Sequence, residues 1–146
     1  MRASAAVTAT FLALLACTIA LAAPPQLTAQ DAWIRATPGS DVAAAYLTLH
    51  NAGTQAVSIV GVRCACAAHA MIHESSISNG QSTMRPREQL AVPAGATLRF
   101  APGGLHIMLH GLTRALTPGE EVPLELLLDG GGSLSVRARV RALGDG

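Results

Sequence analysis

The sequence contains no lysine, and aromatic residues make up only 3% of its 146 residues. Ten arginines face nine aspartates and glutamates, so the formal net charge is only +1. A nearly neutral chain without a basic stripe does not fit a nucleic-acid-binding protein, whose surface must offset phosphate charge. Because half of the residues are hydrophobic, the chain is expected to form a single domain with an aliphatic core.

Motifs of the common enzyme classes are also absent. The chain has no G-x-S-x-G nucleophile turn, no P-loop, no dinucleotide fingerprint and no H-E-x-x-H zinc motif. Its carboxylates are few and scattered, so no pair of them suggests general acid–base hydrolysis. These absences predict a protein that is not an enzyme.

The N-terminal segment holds the longest apolar run. Arg2 precedes an apolar stretch over about residues 5–20, which is followed by Ala20-Leu21-Ala22 and two prolines. A charged start, a short apolar centre and a small-residue cleavage site are typical of a secretory signal peptide. We therefore predict a signal peptide at residues 1–22 and a periplasmic mature domain at residues 23–146, without a transmembrane anchor.

A lipoprotein signal is an alternative interpretation of the same segment. Leu14-Leu15-Ala16 precedes Cys17, and acylation of that cysteine would anchor the mature chain to a membrane. The apolar run continues through residues 18–23, which favours cleavage after the run over acylation within it. Export by either route delivers the domain to an oxidising compartment, where free thiolates are hard to maintain.

Short apolar runs separated by Gly, Pro and Asn follow the signal segment. Turns every eight to twelve residues and the lack of an amphipathic helix predict an all-β, antiparallel β-sandwich. Ser78-Asn79-Gly80 favours a tight hairpin turn, and the ends before about Asp31 and after Ala142 are expected to be loose. The predicted strands cover residues 31–37, 42–50, 56–63, 68–76, 96–100, 106–112, 122–128 and 133–142.

Histidine and methionine concentrate in the middle of the chain. Apart from the initiator, every methionine falls within residues 71–108, and four of the five histidines fall within residues 69–110. A lone methionine usually fills a core and a lone histidine is usually structural. However, side chains alternate across a strand, so His106 and Met108 share one face and could meet one ion.

The same alternation applies to Met71 and His73. Ala70 and Ile72 would face the core, which places Met71 and His73 on the outer face or at a rim. An exposed methionine beside an exposed histidine is hard to explain by core packing. This pair is therefore a second candidate for metal binding.

The thioether and imidazole side chains indicate which metal ion the site would bind. Thioether sulfur is soft, so a His-Met site suits Cu(I) better than zinc, calcium or magnesium. Such a site works where a dithiol site would be oxidised. Blue-copper electron transfer is disfavoured, because no cysteine lies beyond Cys66 to provide a thiolate near a C-terminal histidine.

The spacing of four of these residues resembles a known signature. His73, Met84, His106 and Met108 form H-x10-M-x21-H-x-M, the motif of the periplasmic copper chaperones called PCuAC. Similarity to that family extends over nearly the whole mature chain. It includes Ala32-Trp33-Ile34-Arg35-Ala36-Thr37-Pro38, Ala44-Ala45-Tyr46-Leu47-Thr48-Leu49, Met84-Arg85-Pro86, Val92-Pro93-Ala94-Gly95 and Pro102-Gly103-Gly104.

The resemblance implies both a fold and an activity. The fold would be a cupredoxin-like β-sandwich with Greek-key topology, acting as a monomer. It would bind one Cu(I) through His73, Met84, His106 and Met108 and deliver the ion to a copper-accepting protein. That acceptor would be the CuA centre in subunit II of cytochrome c oxidase, or another oxidase assembly factor.

The sequence departs from the family pattern around the first histidine. Family members often carry a methionine shortly after it, whereas here Glu74 is followed by two serines. Met71 could compensate, or it could be partly packed. His110 stands where the family often has methionine, so it could be an accessory ligand that helps accommodate Cu(II), or an exposed rim residue.

Cys64 and Cys66 allow several interpretations. They could be two small apolar residues, a strained disulfide, or accessory ligands of a weaker metal site that includes the nearby His69. They also support an alternative function, a copper-dependent or thiol redox protein. A metal-free sandwich module is the third possibility.

Overall fold

The computed structural model describes residues 26–144. The predicted signal peptide and Cys17 lie outside these residues. Within them no helix forms, and none is therefore long and apolar enough to cross a membrane. The strands are β1 (Leu27–Ala36), β2 (Val42–Asn51), β3 (Val57–Arg63), β4 (Ala67–Ser78), β5 (Gln81–Pro86), β6 (Leu90–Val92), β7 (Thr97–Arg99), β8 (Leu105–Leu112), β9 (Glu121–Leu128) and β10 (Ser133–Arg141).

The ten strands form one continuous sheet, and the predicted all-β fold class is confirmed. Nine of them follow the order β5-β4-β8-β2-β1-β10-β9-β3-β6, and β7 pairs with β2. The strand pairs are antiparallel except β1 and β10, which run parallel and make the sheet mixed. The sheet folds over so that β3 contacts β4, and aliphatic side chains from both halves enclose one core.

Strand β1 begins earlier than the sequence indicated. The expectation of a loose end before Asp31 is wrong, because Leu27 is buried and pairs with Asn51 on β2. Asp31 has a positive φ of 52°, and the pairing register shifts between Gln30 and Trp33. This bulge interrupts the alternation of apolar and polar residues. The sequence pattern therefore did not predict the first half of β1.

The hairpin between β4 and β5 forms at the predicted turn. Asn79 and Gly80 both adopt positive φ values, 51° and 75°, as the central residues of a turn that pairs Ser78 with Gln81. Such turns match the right-handed twist of the two strands they join, and asparagine followed by glycine adopts them readily. The turn therefore fixes the register of β5 against β4.

Strand β8 separates the core from the outer face of the sheet. Ile107 and Leu109 are fully buried in the core, whereas His106, Met108 and His110 alternate with them on the opposite face. Ile72 of β4 is likewise buried in the core and pairs with Ile107. The side chains of β4 and β8 with candidate metal-binding chemistry therefore lie on the outer face.

A buried asparagine at the end of β2 connects this strand to β6. Asn51, fully buried, donates from Nδ2 to the carbonyl oxygens of Gln55 (2.8 Å) and Val92 (3.0 Å). Its Oδ1 accepts from the amide of Gly53 at 3.0 Å. The three bonds satisfy a side chain that would be costly to bury unpaired, and they join β2 to β6.

Candidate metal centre

Three pairs of histidine and methionine residues stand directly opposite each other on β4 and β8. His73 is opposite His106, Met71 is opposite Met108, and His69 is opposite His110. Opposite residues of an antiparallel pair point to the same face, with Cα atoms about 4.5–5.5 Å apart. These six residues form a His–Met ladder of three rungs, and successive rungs are separated by roughly 6.7 Å along the strands.

Met84 reaches the same face from β5. It is opposite Ser75, and Pro86 is opposite His73, so Met84 lies diagonally next to the His73–His106 rung. Met108 lies two residues from His106 along β8, one rung away on the other side of the His73–His106 rung. The structure therefore brings the four residues of the H-x10-M-x21-H-x-M spacing to one region of the outer face.

His106 is held in one orientation by the backbone. Its side chain is only 5% exposed, and its Nδ1 lies 3.0 Å from the carbonyl oxygen of Gly104. Because a carbonyl can only accept, Nδ1–H donates, and Nε2 of the neutral ring keeps a free lone pair. Metal-binding histidines commonly use such a bond to fix the tautomer and orient the ring.

The same carbonyl oxygen also fixes the position of the opposite strand. It accepts a hydrogen bond from the amide of Ser75 at 3.0 Å, which extends the β4–β8 pairing beyond Glu74 and Leu105. One oxygen thus connects the ring of His106 to the strand that carries His73. The rings of the two histidines are 5.8 Å apart between centroids, in an edge-to-face arrangement.

His73 carries a buried nitrogen without a hydrogen-bond partner. No donor or acceptor in residues 26–144 bonds to its Nδ1, although the atom is shielded from solvent. Buried polar atoms are seldom left unpaired, and an unfilled ion site is one physical reason for an exception. The arrangement fits a metal-binding imidazole.

The surroundings of His73 also favour its neutral form. Burial lowers the pKa of its imidazole below 6.5, and the charges of His106 and His110 lower it further. Metals bind the neutral imidazole, so the lowered pKa keeps His73 able to accept an ion at lower pH.

Two of the three thioethers on this face are more exposed to solvent than the two histidines. Met84 is 51% exposed and Met71 is 46% exposed, whereas Met108 is half-buried. Met71 also lines a groove between β3 and β4 together with Val60 and Leu127, so part of its surface is packed. The arrangement combines one hydrogen-bonded histidine, His106, with two solvent-exposed thioethers.

The sequence did not reveal the strand that carries Met84. The predicted strands do not include residues 81–86, but Met84 lies there on β5, which pairs with β4 in one hairpin. The tight turn at Asn79-Gly80 was the available indication, because a two-residue hairpin turn implies a second strand directly after it. The pairing of His69 with His110 was also missed, since it depends on the β4–β8 register.

Cys64 and Cys66 are joined in a disulfide between β3 and β4. The interpretation as two unpaired apolar residues is therefore wrong, and in this state the sulfurs are not thiolate ligands for a metal. Cys66 is 5% exposed and Cys64 is partly buried, so neither presents an open thiol. Their position in the connection between two strands favours a structural crosslink.

Solved structures of PCuAC domains have the same fold. The copper-bound PCuAC domain from PmoF2 matches with a TM-score of 0.68 and 20% identity, covering 80% of this chain and 93% of that one. Apo-DR1885 from Deinococcus radiodurans matches with a TM-score of 0.65 and 32% identity, covering 99% and 98%. The copper(I) form of DR1885 matches with 0.64 and 34%, covering 84% and 81%. The chain therefore has the PCuAC-type fold.

Sequence comparison identifies the family. A protein of Leifsonia xyli subsp. xyli, named as a "Putative lipoprotein", is 35% identical over 111 residues, or 75% of this chain and 66% of that relative. The chain thus spans just under two thirds of the relative's length. The family model described as "Putative lipoprotein LpqE-like" matches residues 27–140. The chain belongs to the LpqE-like family.

Proposed function

We propose that this protein is a copper chaperone that binds one Cu(I) through His73, Met84, His106 and Met108. The observation that carries the proposal is the His73–His106 rung, with a buried unpartnered Nδ1 on one ring and an oriented Nε2 on the other. The copper(I) form of DR1885, to which the chain is 34% identical, supports copper as the ligand.

The ligand set suits an ion that must be carried and then released. Two imidazoles and two thioethers add no negative charge and favour Cu(I) over harder or divalent ions. Met84 is half-exposed on the outermost strand of the sheet, so an acceptor's ligands can replace its sulfur while the histidines still hold the ion. Transfer by ligand exchange needs no catalytic acid or base, consistent with a protein that is not an enzyme.

The partner is proposed from the same chemistry. A copper-accepting protein with comparable or stronger soft ligands would complete the exchange, and the CuA centre in subunit II of cytochrome c oxidase is the proposed acceptor. Another oxidase assembly factor would serve equally by this chemistry. Cu(I) is the proposed cargo of the four-residue site.

An anaerobic Cu(I) titration with X-ray absorption tests this proposal directly. We expect one Cu(I) per chain with about two nitrogen and two sulfur neighbours. Replacing both Met84 and Met108 by alanine should remove the sulfur contribution and lower Cu(I) affinity by about 100-fold or more, since even changes outside the ligand shell cost about 10–100-fold. Ile77→Ala is the matched control, because Ile77 is an exposed apolar residue of the same hairpin. An unchanged affinity in the double methionine variant would show that the assignment is wrong.

Export is also part of the proposal. The lipoprotein names of the family and of the relative indicate by which of two routes the chain would be exported. These names favour acylation at Cys17 over cleavage after Ala22, although both give an exported domain. Mass spectrometry of the mature N-terminus distinguishes the two routes. We expect a lipid-modified Cys17 in the membrane fraction, and replacement of Cys17 by alanine should release the protein or block its maturation. A soluble mature chain that starts at residue 23 or 24 would instead establish the cleavable signal peptide.

A further inference from the structure

The third rung of the His–Met ladder is not used by the proposed Cu(I) site. His69 on β4 and His110 on β8 are directly opposite each other, and both side chains are exposed. In residues 26–144 neither ring makes a hydrogen bond to another group. The two imidazoles are therefore free to turn toward a common ion in solvent.

This rung is too far from the first to share its ion. His69–His110 is separated from His73–His106 by two rung spacings, roughly 13 Å along the strands, whereas bonds from imidazole to a metal are only about 2.0–2.1 Å long. The Met71–Met108 rung lies between the two pairs. The ladder thus has room for two separate ions, one at each histidine rung.

The donors of the third rung differ from those of the first. In the described residues no group of three or more His, Cys, Asp or Glu side chains could hold a metal, so this rung provides two nitrogens and leaves other positions to water. Nitrogen and water donors suit a divalent ion, and Cu(II) binds such donors most tightly among the first-row divalent metals. Met84, which supplies a soft ligand to the first rung, lies at the opposite end of the ladder.

We propose that His69 and His110 form a second, solvent-facing copper site that binds Cu(II). The site is spatially separate from the four-residue Cu(I) site, and both can be filled in the same chain. Because it has only two protein nitrogens, it binds more weakly than the four-ligand site and exchanges its ion readily.

Electron paramagnetic resonance and equilibrium dialysis test the second site. The mature protein is first loaded anaerobically with one Cu(I), which is silent in this spectroscopy and fills the four-residue site. Cu(II) is then added, and we expect one further ion per chain with a spectrum that shows two imidazole nitrogens. His69→Ala and His110→Ala should each lower the Cu(II) affinity by more than about tenfold and leave the Cu(I) stoichiometry unchanged.

His50→Ala is the matched control. His50 is a partly buried histidine on β2 whose Nδ1 lies 3.0 Å from Thr97 Oγ1, away from the ladder, and its replacement should leave Cu(II) binding intact. Circular dichroism verifies that each variant is folded. Full Cu(II) binding in both His69→Ala and His110→Ala would overturn the proposal and assign the ion to another donor, such as the amino terminus. If the wild type bound no Cu(I) but still gave the Cu(II) signal, the result would contradict only the chaperone proposal.

Discussion

Replacement of His106 by alanine should lower the Cu(I) affinity by at least about 100-fold, or about 2.8 kcal/mol. This residue is the best-anchored ligand of the proposed site, because it is 5% exposed and donates from Nδ1 to Gly104. Because this bond already orients the ring, its Nε2 can bind Cu(I) without further loss of conformational freedom. The exposed methionines lack this advantage. Competition with a calibrated Cu(I) chelator under anaerobic conditions gives the affinity.

Chemical rescue separates a ligand role from a structural one. Imidazole added to the His106→Ala protein can enter the vacated space and supply the missing nitrogen, so we expect part of the Cu(I) affinity to return. A purely structural effect would not respond to imidazole. His50→Ala is again the control, and its Cu(I) affinity should equal that of the wild type. Equal affinities in the wild type and His106→Ala would contradict the assignment of this residue.

Replacement of Leu109 by alanine should lower the unfolding free energy and leave the Cu(I) affinity nearly unchanged. Leu109 is fully buried in the core, and loss of such a side chain costs about 2–5 kcal/mol in unfolding free energy, from lost burial and the remaining cavity. It lies between Met108 and His110 in sequence but points to the other face of β8. The Cu(I) affinity of the folded variant should therefore change by less than about twofold.

Urea unfolding of the apo protein measures this loss without the added stabilisation from bound copper. Met108→Ala is the matched variant one position away. It should weaken Cu(I) binding strongly while lowering the unfolding free energy by less than Leu109→Ala does, because Met108 is only half-buried. If both variants altered copper affinity equally, the separation of β8 into a core face and a ligand face would be wrong.

Much of the fold could be predicted because it depends on local patterns. In β8 the alternation predicted that His106 and Met108 share one face, and the intervening Ile107 and Leu109 are fully buried on the other. Strand β5 escaped prediction because its residues, Gln81–Pro86, are all exposed and carry no apolar alternation. Its place depends on the turn before it and on hydrogen bonds to β4, which composition does not reveal.

The candidate site could be predicted only in part for a similar reason. Met108 follows His106 closely enough for strand geometry to put them on one face. Met84 was linked to them by its resemblance to a family motif, since the sequence gives no spacing rule between separate strands. The disulfide of Cys64 and Cys66 was one of several open interpretations until the connection between β3 and β4 was known.

The sequence by itself determined the all-β class, the soft and neutral chemistry of the candidate ligands, and the shared faces of His106 with Met108 and of Met71 with His73. These features follow from residue type and from an alternation with a period of two, which needs no distant partner. Only the tertiary structure decided that His73 is opposite His106 and that His69 is opposite His110. A shift of one residue between β4 and β8 would separate both pairs, and that register depends on contacts between segments more than thirty residues apart.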